Sequence, residues 1–186
     1  HACAVDEAGA LWCWGANDQG QLGDGTLVDR AIPTEVADLE GVVEVVAGLA
    51  HTCARTAAGA VSCWGSSDEG QAGTLIGPVL APREIELEGA TALAAGARHT
   101  CAIGADGRPL CWGANESLQT GLGVPVPQTS PVEVSVDATR IAAGRANTCV
   151  INRGGSILCW GAASTGLLGA SAEADSAFPT RVPGTP

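Results

Sequence analysis

Apolar residues in this chain fall into short runs separated by glycine-rich polar stretches, and the same succession of runs returns about every 48 residues. One run ends in Ala-Gly: Val43-Glu44-Val45-Val46-Ala47-Gly48, Thr91-Ala92-Leu93-Ala94-Ala95-Gly96 and Thr139-Arg140-Ile141-Ala142-Ala143-Gly144. A large aliphatic residue (Val45, Leu93, Ile141) stands three places before each glycine, and the residues after it are mostly alanine. Small side chains of this kind suit a strand lying where several sheets crowd towards one axis. The next two runs surround a glycine at 9, 59, 107 and 155, one residue past the midpoint of a hairpin, where a three-residue loop with a bulge needs positive φ. Apolar residues occupy both faces of these hairpin strands. Leu11, Val61, Pro109 and Ile157 lie on one face, and Trp14, Trp64, Trp112 and Trp160 on the other. Strands buried on both sides read this way. A polar turn follows, and then a proline opening an outer strand at Pro33, Pro82, Pro131 and Pro179, where a missing N–H costs little.

The pattern predicts an all-β chain of four repeat units: a partial unit at about 1–41, then units at 42–90, 91–138 and 139–186. Each full unit reads as a four-stranded antiparallel sheet, and the first lacks its innermost strand. A fixed period of this length points to a β-propeller or another repeat array whose units cannot bury a core singly.

All eight cysteines sit on the hairpins, at Cys3 and Cys13, Cys53 and Cys63, Cys101 and Cys111, and Cys149 and Cys159. With the turn centred between them, each pair is directly opposed across two antiparallel strands, within disulfide reach. The expected pairing is therefore within each hairpin, and each bond would contribute roughly 2.7 kcal/mol by the chain-entropy estimate. The competing reading is a metal site at His51, Cys53 and Cys63. Its spacing is wider than the usual zinc cysteine pair, and the fourth unit carries Asn147 in place of the histidine. The periodic histidines His1, His51 and His99 read as hydrogen-bonding struts between strands.

Composition narrows the function. The net charge is −11, and all nine basic residues are arginine. Such a field repels nucleic acid and anionic membrane, and no apolar run is long enough to cross a bilayer. There is no phosphate-binding lysine, nucleophile elbow or metalloprotease motif. Neither catalytic residues nor a cofactor or metal are expected. The loops after each Trp-Gly vary most between units, and loops on a rigid frame commonly carry recognition. The candidate binding residues there are Asn17, Asp18, Gln19, Asp24, Asp68, Glu69, Asn115 and Glu116.

The succession Gly-x-x-His-Thr-Cys, Gly-x-x-x-Cys-Trp-Gly, and then Gly20-Gln21-Leu22-Gly23 closely resembles the regulator of chromosome condensation repeat. Weaker copies of the last element are Gly70-Gln71-Ala72-Gly73 and Gly166-Leu167-Leu168-Gly169. The resemblance implies a seven-bladed β-propeller, of which this chain would supply an open arc of about four blades. The hairpin cysteines are similar to those of the family's exported bacterial branch. They imply an extracellular, cell-surface or periplasmic location, since the cytosol keeps thiols reduced. The chain begins inside a repeat and is expected to be a piece of a longer protein. The expectation is a non-catalytic, disulfide-stapled scaffold that binds a protein or glycan and self-associates through its two open blade edges. The family's eukaryotic members suggest the alternative, a nucleotide-exchange factor for a small GTPase; a third reading is a structural spacer in a large surface protein.

Overall fold

The computed structural model describes residues 1–87, 89–169 and 174–185. The fourth expected unit, 139–186, therefore lies partly outside the described residues, as does one residue of the second. Fifteen strands form four antiparallel sheets among the described residues, and the one helical element is a 3-10 turn at Ser164–Gly166. Blade 1 is three-stranded: β1 (Ala2–Val5), β2 (Leu11–Gly15) and β3 (Arg30–Glu35). Blade 2 runs in order through β4 (Val42–Ala47), β5 (His51–Thr56), β6 (Val61–Gly65) and β7 (Val79–Ile85). Blade 3 comprises β8 (Ala92–Ala95), β9 (His99–Ile103), β10 (Pro109–Gly113) and β11 (Gln128–Glu133). Blade 4 comprises β12 (Arg140–Ala143), β13 (Asn147–Ile151), β14 (Ile157–Gly161) and β15 (Ser176–Arg181).

The central hairpin fixes each blade. In blade 2, Gly59 takes φ +87°, its N–H bonds to the Thr56 carbonyl, and the Thr56 N–H bonds to the Ala60 carbonyl. This tight loop sets the register so that Cys53 faces Cys63, and the same register places Cys3 against Cys13, Cys101 against Cys111, and Cys149 against Cys159. Each pair is a disulfide with Cα atoms 4.1 Å apart. No free cysteine remains among the described residues. The sulfurs that a metal reading would use are thus consumed.

Blades stack with a direction. The cysteine face of one blade meets the tryptophan face of the next. Leu11, Cys13, Leu22 and Val36 of blade 1 pack on Val42, Ala54 and Trp64 of blade 2. Cys53, Val61, Cys63 and Ile85 then meet Leu93, Ala102 and Trp112. Cys101, Ile103, Cys111 and Val134 meet Val150 and Trp160. Burying one of these tryptophans anchors each joint, since truncating such a side chain to alanine typically costs about 3–5 kcal/mol.

A polar ladder crosses the same joints, so the histidines tie blade to blade rather than strand to strand. His1 Nε2 lies 3.0 Å from Thr52 Oγ1, His51 Nε2 is 2.9 Å from Thr100 Oγ1, and His99 Nε2 is 2.9 Å from Thr148 Oγ1. Thr52 and Thr148 donate their hydroxyl protons back to the Gln21 and Gln119 carbonyls, at 2.7 and 3.0 Å. Each of these two threonine oxygens must therefore accept from a histidine Nε2–H, which fixes the neutral tautomer. Nδ1 of His51 and of His99 is buried and finds no partner among the described residues. The ring of His99 lies against Gly96, where a Cβ would overlap its Cε1 and come 2.5 Å from the Gly144 carbonyl oxygen. That close approach explains the glycine three places before the histidine.

Burial pushes the His51 imidazole down to about 3, with His99 adding repulsion, and burial pushes His99 down to about 4. Unfolded histidine titrates near 6.5. Between that value and about 4 the unfolded chain binds more protons than the folded one, so stability falls as pH falls and is level above pH 7. Urea unfolding is expected to show a loss on the order of a few kcal/mol between pH 7 and pH 4.5. His99→Asn, which installs the residue found in blade 4, should flatten that slope by about half. An unchanged slope would show that other groups carry the pH dependence.

Candidate interaction face

The segments leaving β2, β6 and β10 emerge at one end of the blades, beside the inner turns. Ser66 N–H bonds to the Ala50 carbonyl and Ala114 N–H to the Arg98 carbonyl, both at 2.8 Å, which places the two sets of loops together. Each outer loop is built around one buried residue. Asn17 Oδ1 accepts from Leu22 N–H at 2.9 Å, while its Nδ2 donates to the Thr26 and Val28 carbonyls and to Asp24. Asn115 repeats the arrangement, accepting from Thr120 N–H and donating to the Leu122 and Val124 carbonyls. In blade 2 the shorter Ser67 accepts from Ala72 N–H and donates to the Thr74 carbonyl. A buried glutamine closes the turn: Gln21, Gln71 and Gln119 each accept from a main-chain N–H two residues earlier. Their own carbonyls receive the indole N–H of Trp64, Trp112 and Trp160 from the following blade, at 2.9 to 3.0 Å.

This geometry divides the sequence candidates. Asn17 and Asn115 are fully buried and hold the loops from inside, so they are not partner contacts. Asp24 is likewise structural. It pairs with Arg30 at 2.7 Å and accepts from Thr26; burial raises its carboxyl pKa, but the hydrogen bonds from Thr26 and Arg30 outweigh that and hold it lowered. Asp18, Asp68 and Glu116 are exposed, with Gln19 and Glu69 half-buried. Hydrogen bonds from the Gln21 and then the Gln19 side chains lower the Asp18 carboxyl pKa. Glu69 and Glu116 are bridged by Arg98 at 3.2 and 2.6 Å, a clasp between blades 2 and 3. At such exposure each of these pairs contributes little to stability.

Sequence reasoning missed the apolar residues that the same loops expose. Leu27 and Val28 in blade 1, Leu75 and Ile76 in blade 2, and Val124 and Val126 in blade 3 stand outward at equivalent places, with Ile76 85% exposed. The corresponding stretch of blade 4 contains residues outside those described. Leu49, 73% exposed, adds an apolar side chain at an inner turn. Recurrence of an apolar pair at one point of the first three units was the available signal.

Asn115→Ala removes the acceptor of one buried N–H and the donor of two carbonyls. It is expected to cost about 2–3 kcal/mol, read as a lowered midpoint in urea. Glu116→Ala, one residue away and exposed, is expected to change the midpoint by less than about 0.5 kcal/mol.

Comparison with known proteins places these features in a family. A model of the regulator of chromosome condensation (RCC1) repeat matches residues 8–55, and a second model of that repeat matches residues 42–71 and 90–119. Together they span about half of the chain. Human E3 ubiquitin-protein ligase HERC2 is 42% identical over 53 residues, 27% of this chain and 1% of that protein. Among solved structures, Prp20p from Saccharomyces cerevisiae superposes with a TM-score of 0.85 at 23% identity, covering 97% of this chain and 48% of that one. The ectodomain of the Physcomitrella patens receptor kinase CR4 gives a TM-score of 0.57 at 25% identity, with 88% and 39% covered. The chain thus spans about half the length of Prp20p and a small fraction of HERC2. The matched repeats and the four stacked antiparallel blades agree, and the chain belongs to the regulator of chromosome condensation repeat family of β-propellers.

Proposed function

We propose that this chain is a non-catalytic, protein-binding segment of an exported or cell-surface propeller, organised as repeat units near 1–41, 42–90, 91–138 and 139–186. The observation that carries the reading is the repeated exposure of apolar pairs on one end of the blades, among the acidic side chains Asp18, Asp68 and Glu116. Exposed apolar groups that recur in register are costly in water unless something covers them. A protein partner with apolar and basic side chains would suit them, and a glycan would suit the polar groups of the same loops. Two facts about similar proteins support binding and location. Prp20p, of the same fold, binds Gsp1p and histones, and the CR4 structure is a receptor ectodomain. Export is further supported by the four disulfides, which an oxidising compartment preserves. The charge of −11 weighs against docking on DNA.

Intact mass after alkylation under denaturing, non-reducing conditions tests the compartment. Protein recovered from its native source is expected to carry no alkyl adducts. Eight adducts would return the chain to the cytosol and favour the exchange-factor reading. The binding face is tested on arrays of extracellular proteins and glycans, comparing the wild type with a Leu27→Ser, Ile76→Ser, Val126→Ser triple variant. Any ligand the wild type retains is expected to weaken about tenfold or more in the variant at unchanged melting temperature. Identical profiles would remove this face from the interaction.

A further inference from the structure

We propose that the disulfide of an interior blade exchanges with an outside thiol or disulfide only while the following blade is undocked, so that a thiol–disulfide oxidoreductase must close one hairpin before the next blade seals it. The observation is the side of the blade on which the sulfurs lie. Cys53 and Cys63 of blade 2 are fully buried, in one cluster with Leu93, Ala102 and Trp112 of blade 3. Cys101 and Cys111 of blade 3 are fully buried in a cluster with Val150 and Trp160 of blade 4. Blade 3 thus helps to cover the disulfide of blade 2, while its own disulfide faces the other way and is covered by blade 4.

The polar ladder rests on the same sulfurs. Thr100 Oγ1, 2.9 Å from His51 Nε2, lies 3.6 Å from Cys53 Sγ. Thr148 Oγ1 is 2.9 Å from His99 Nε2 and 3.7 Å from Cys101 Sγ. Uncovering either sulfur therefore separates a histidine from its threonine and opens the seam beneath a tryptophan. Fraying of the hairpin itself leaves the cover in place, because the cover belongs to the neighbouring blade.

Exchange chemistry needs that access, since a thiolate must reach a sulfur and form a mixed disulfide with it. In the forming direction, one cysteine loses its proton and attacks the disulfide of the oxidoreductase, whose second sulfur leaves. The other cysteine, also deprotonated, then attacks the first; the hairpin S–S bond forms and the oxidoreductase departs reduced. Two electrons pass from the cysteine pair to the oxidoreductase, and the two protons released by the cysteines balance those that its sulfurs take up as a dithiol. Sulfurs without exposed surface admit no such protein. Each cover lies C-terminal to the bond it hides, so in a chain delivered N-terminus first the cysteines stay open until the following blade arrives. This order is independent of what the loop face binds.

Reduction of the folded chain traces the same route backwards and tests it. The oxidised 186-residue chain is held in dithiothreitol without denaturant, and freed cysteines are alkylated over time and located by peptide mass. In the wild type, Cys53–Cys63 and Cys101–Cys111 are expected to open at least about a hundredfold more slowly than in urea. Trp112→Ala should speed the opening of Cys53–Cys63 about a hundredfold and leave Cys101–Cys111 near its wild-type rate, and Trp160→Ala should do the reverse. Should a tryptophan variant fail to fold, Thr100→Val and Thr148→Val decide instead, with the same crossed pattern at about fivefold. A wild type that reduces as fast folded as in urea overturns the proposal. In a variant that keeps the wild-type far-UV spectrum, unchanged rates, faster opening of its own blade's bond, or equal acceleration of both bonds overturns it as well.

Discussion

The tryptophan that crosses each joint, with its N–H on a main-chain carbonyl of the preceding blade, is the contact on which the rest of the structure depends. A blade with two apolar faces is insoluble alone and must be covered on both sides. Apolar contact by itself has no orientation. Direction comes from the buried polar atoms, because an indole N–H or an imidazole N–H sealed without a partner costs about 1–3 kcal/mol. Trp112 finds its acceptor only if the Gln71 carbonyl lies beneath it, and His51 finds Thr100 only one period ahead. These requirements permit one stacking order and one rotation between neighbours. They also explain why Gln21, Gln71 and Gln119 are buried in otherwise solvated loops: each side chain shapes the turn that aims its own carbonyl at the next blade.

The disulfides do a different job. Each joins the two central strands of one blade and none joins two blades. They restrict the unfolded hairpin locally and leave the strength of the joints to packing and to the ladder. A chain with five tryptophans and one phenylalanine has few large rings to bury. Three of the tryptophans are spent on joints, and Val and Ile side chains from the outer strands complete the seams. Stability is thus divided between staples within blades and seams between them.

Much of this frame is legible in the sequence because the governing distances are short. The glycine after each hairpin midpoint and the ten-residue cysteine separation set a register by themselves, and that register extends to Trp64, Trp112 and Trp160 on the opposite face. What lies one period away is less visible. His51 meets a threonine 49 residues on, so a reading of each unit alone makes it a strut between strands. The pattern was nevertheless present: the first unit has the histidine without the threonine, and the last has the threonine without the histidine. The loops misled for another reason. A polar residue in a glycine-rich turn suggests a solvated contact, yet Asn17 and Asn115 are buried because main-chain groups of a tight loop need a partner inside it. The corresponding residues Ser67 and Ala163 are small, which fits an interior position better than a recognition position.

That division of labour within ten residues bears on how such a surface can change. Asn115 holds its loop through main-chain atoms, so the side chains at 124 and 126 are not needed to shape it. Loops of unequal length sit on the same frame for this reason, and Ser67 holds a loop that differs in sequence from that held by Asn17. Blade 4 shows the limit. Ala163 has no side-chain group to offer, and its N–H bonds to Asp175, the counterpart of the bond from Asn17 N–H to Asp29.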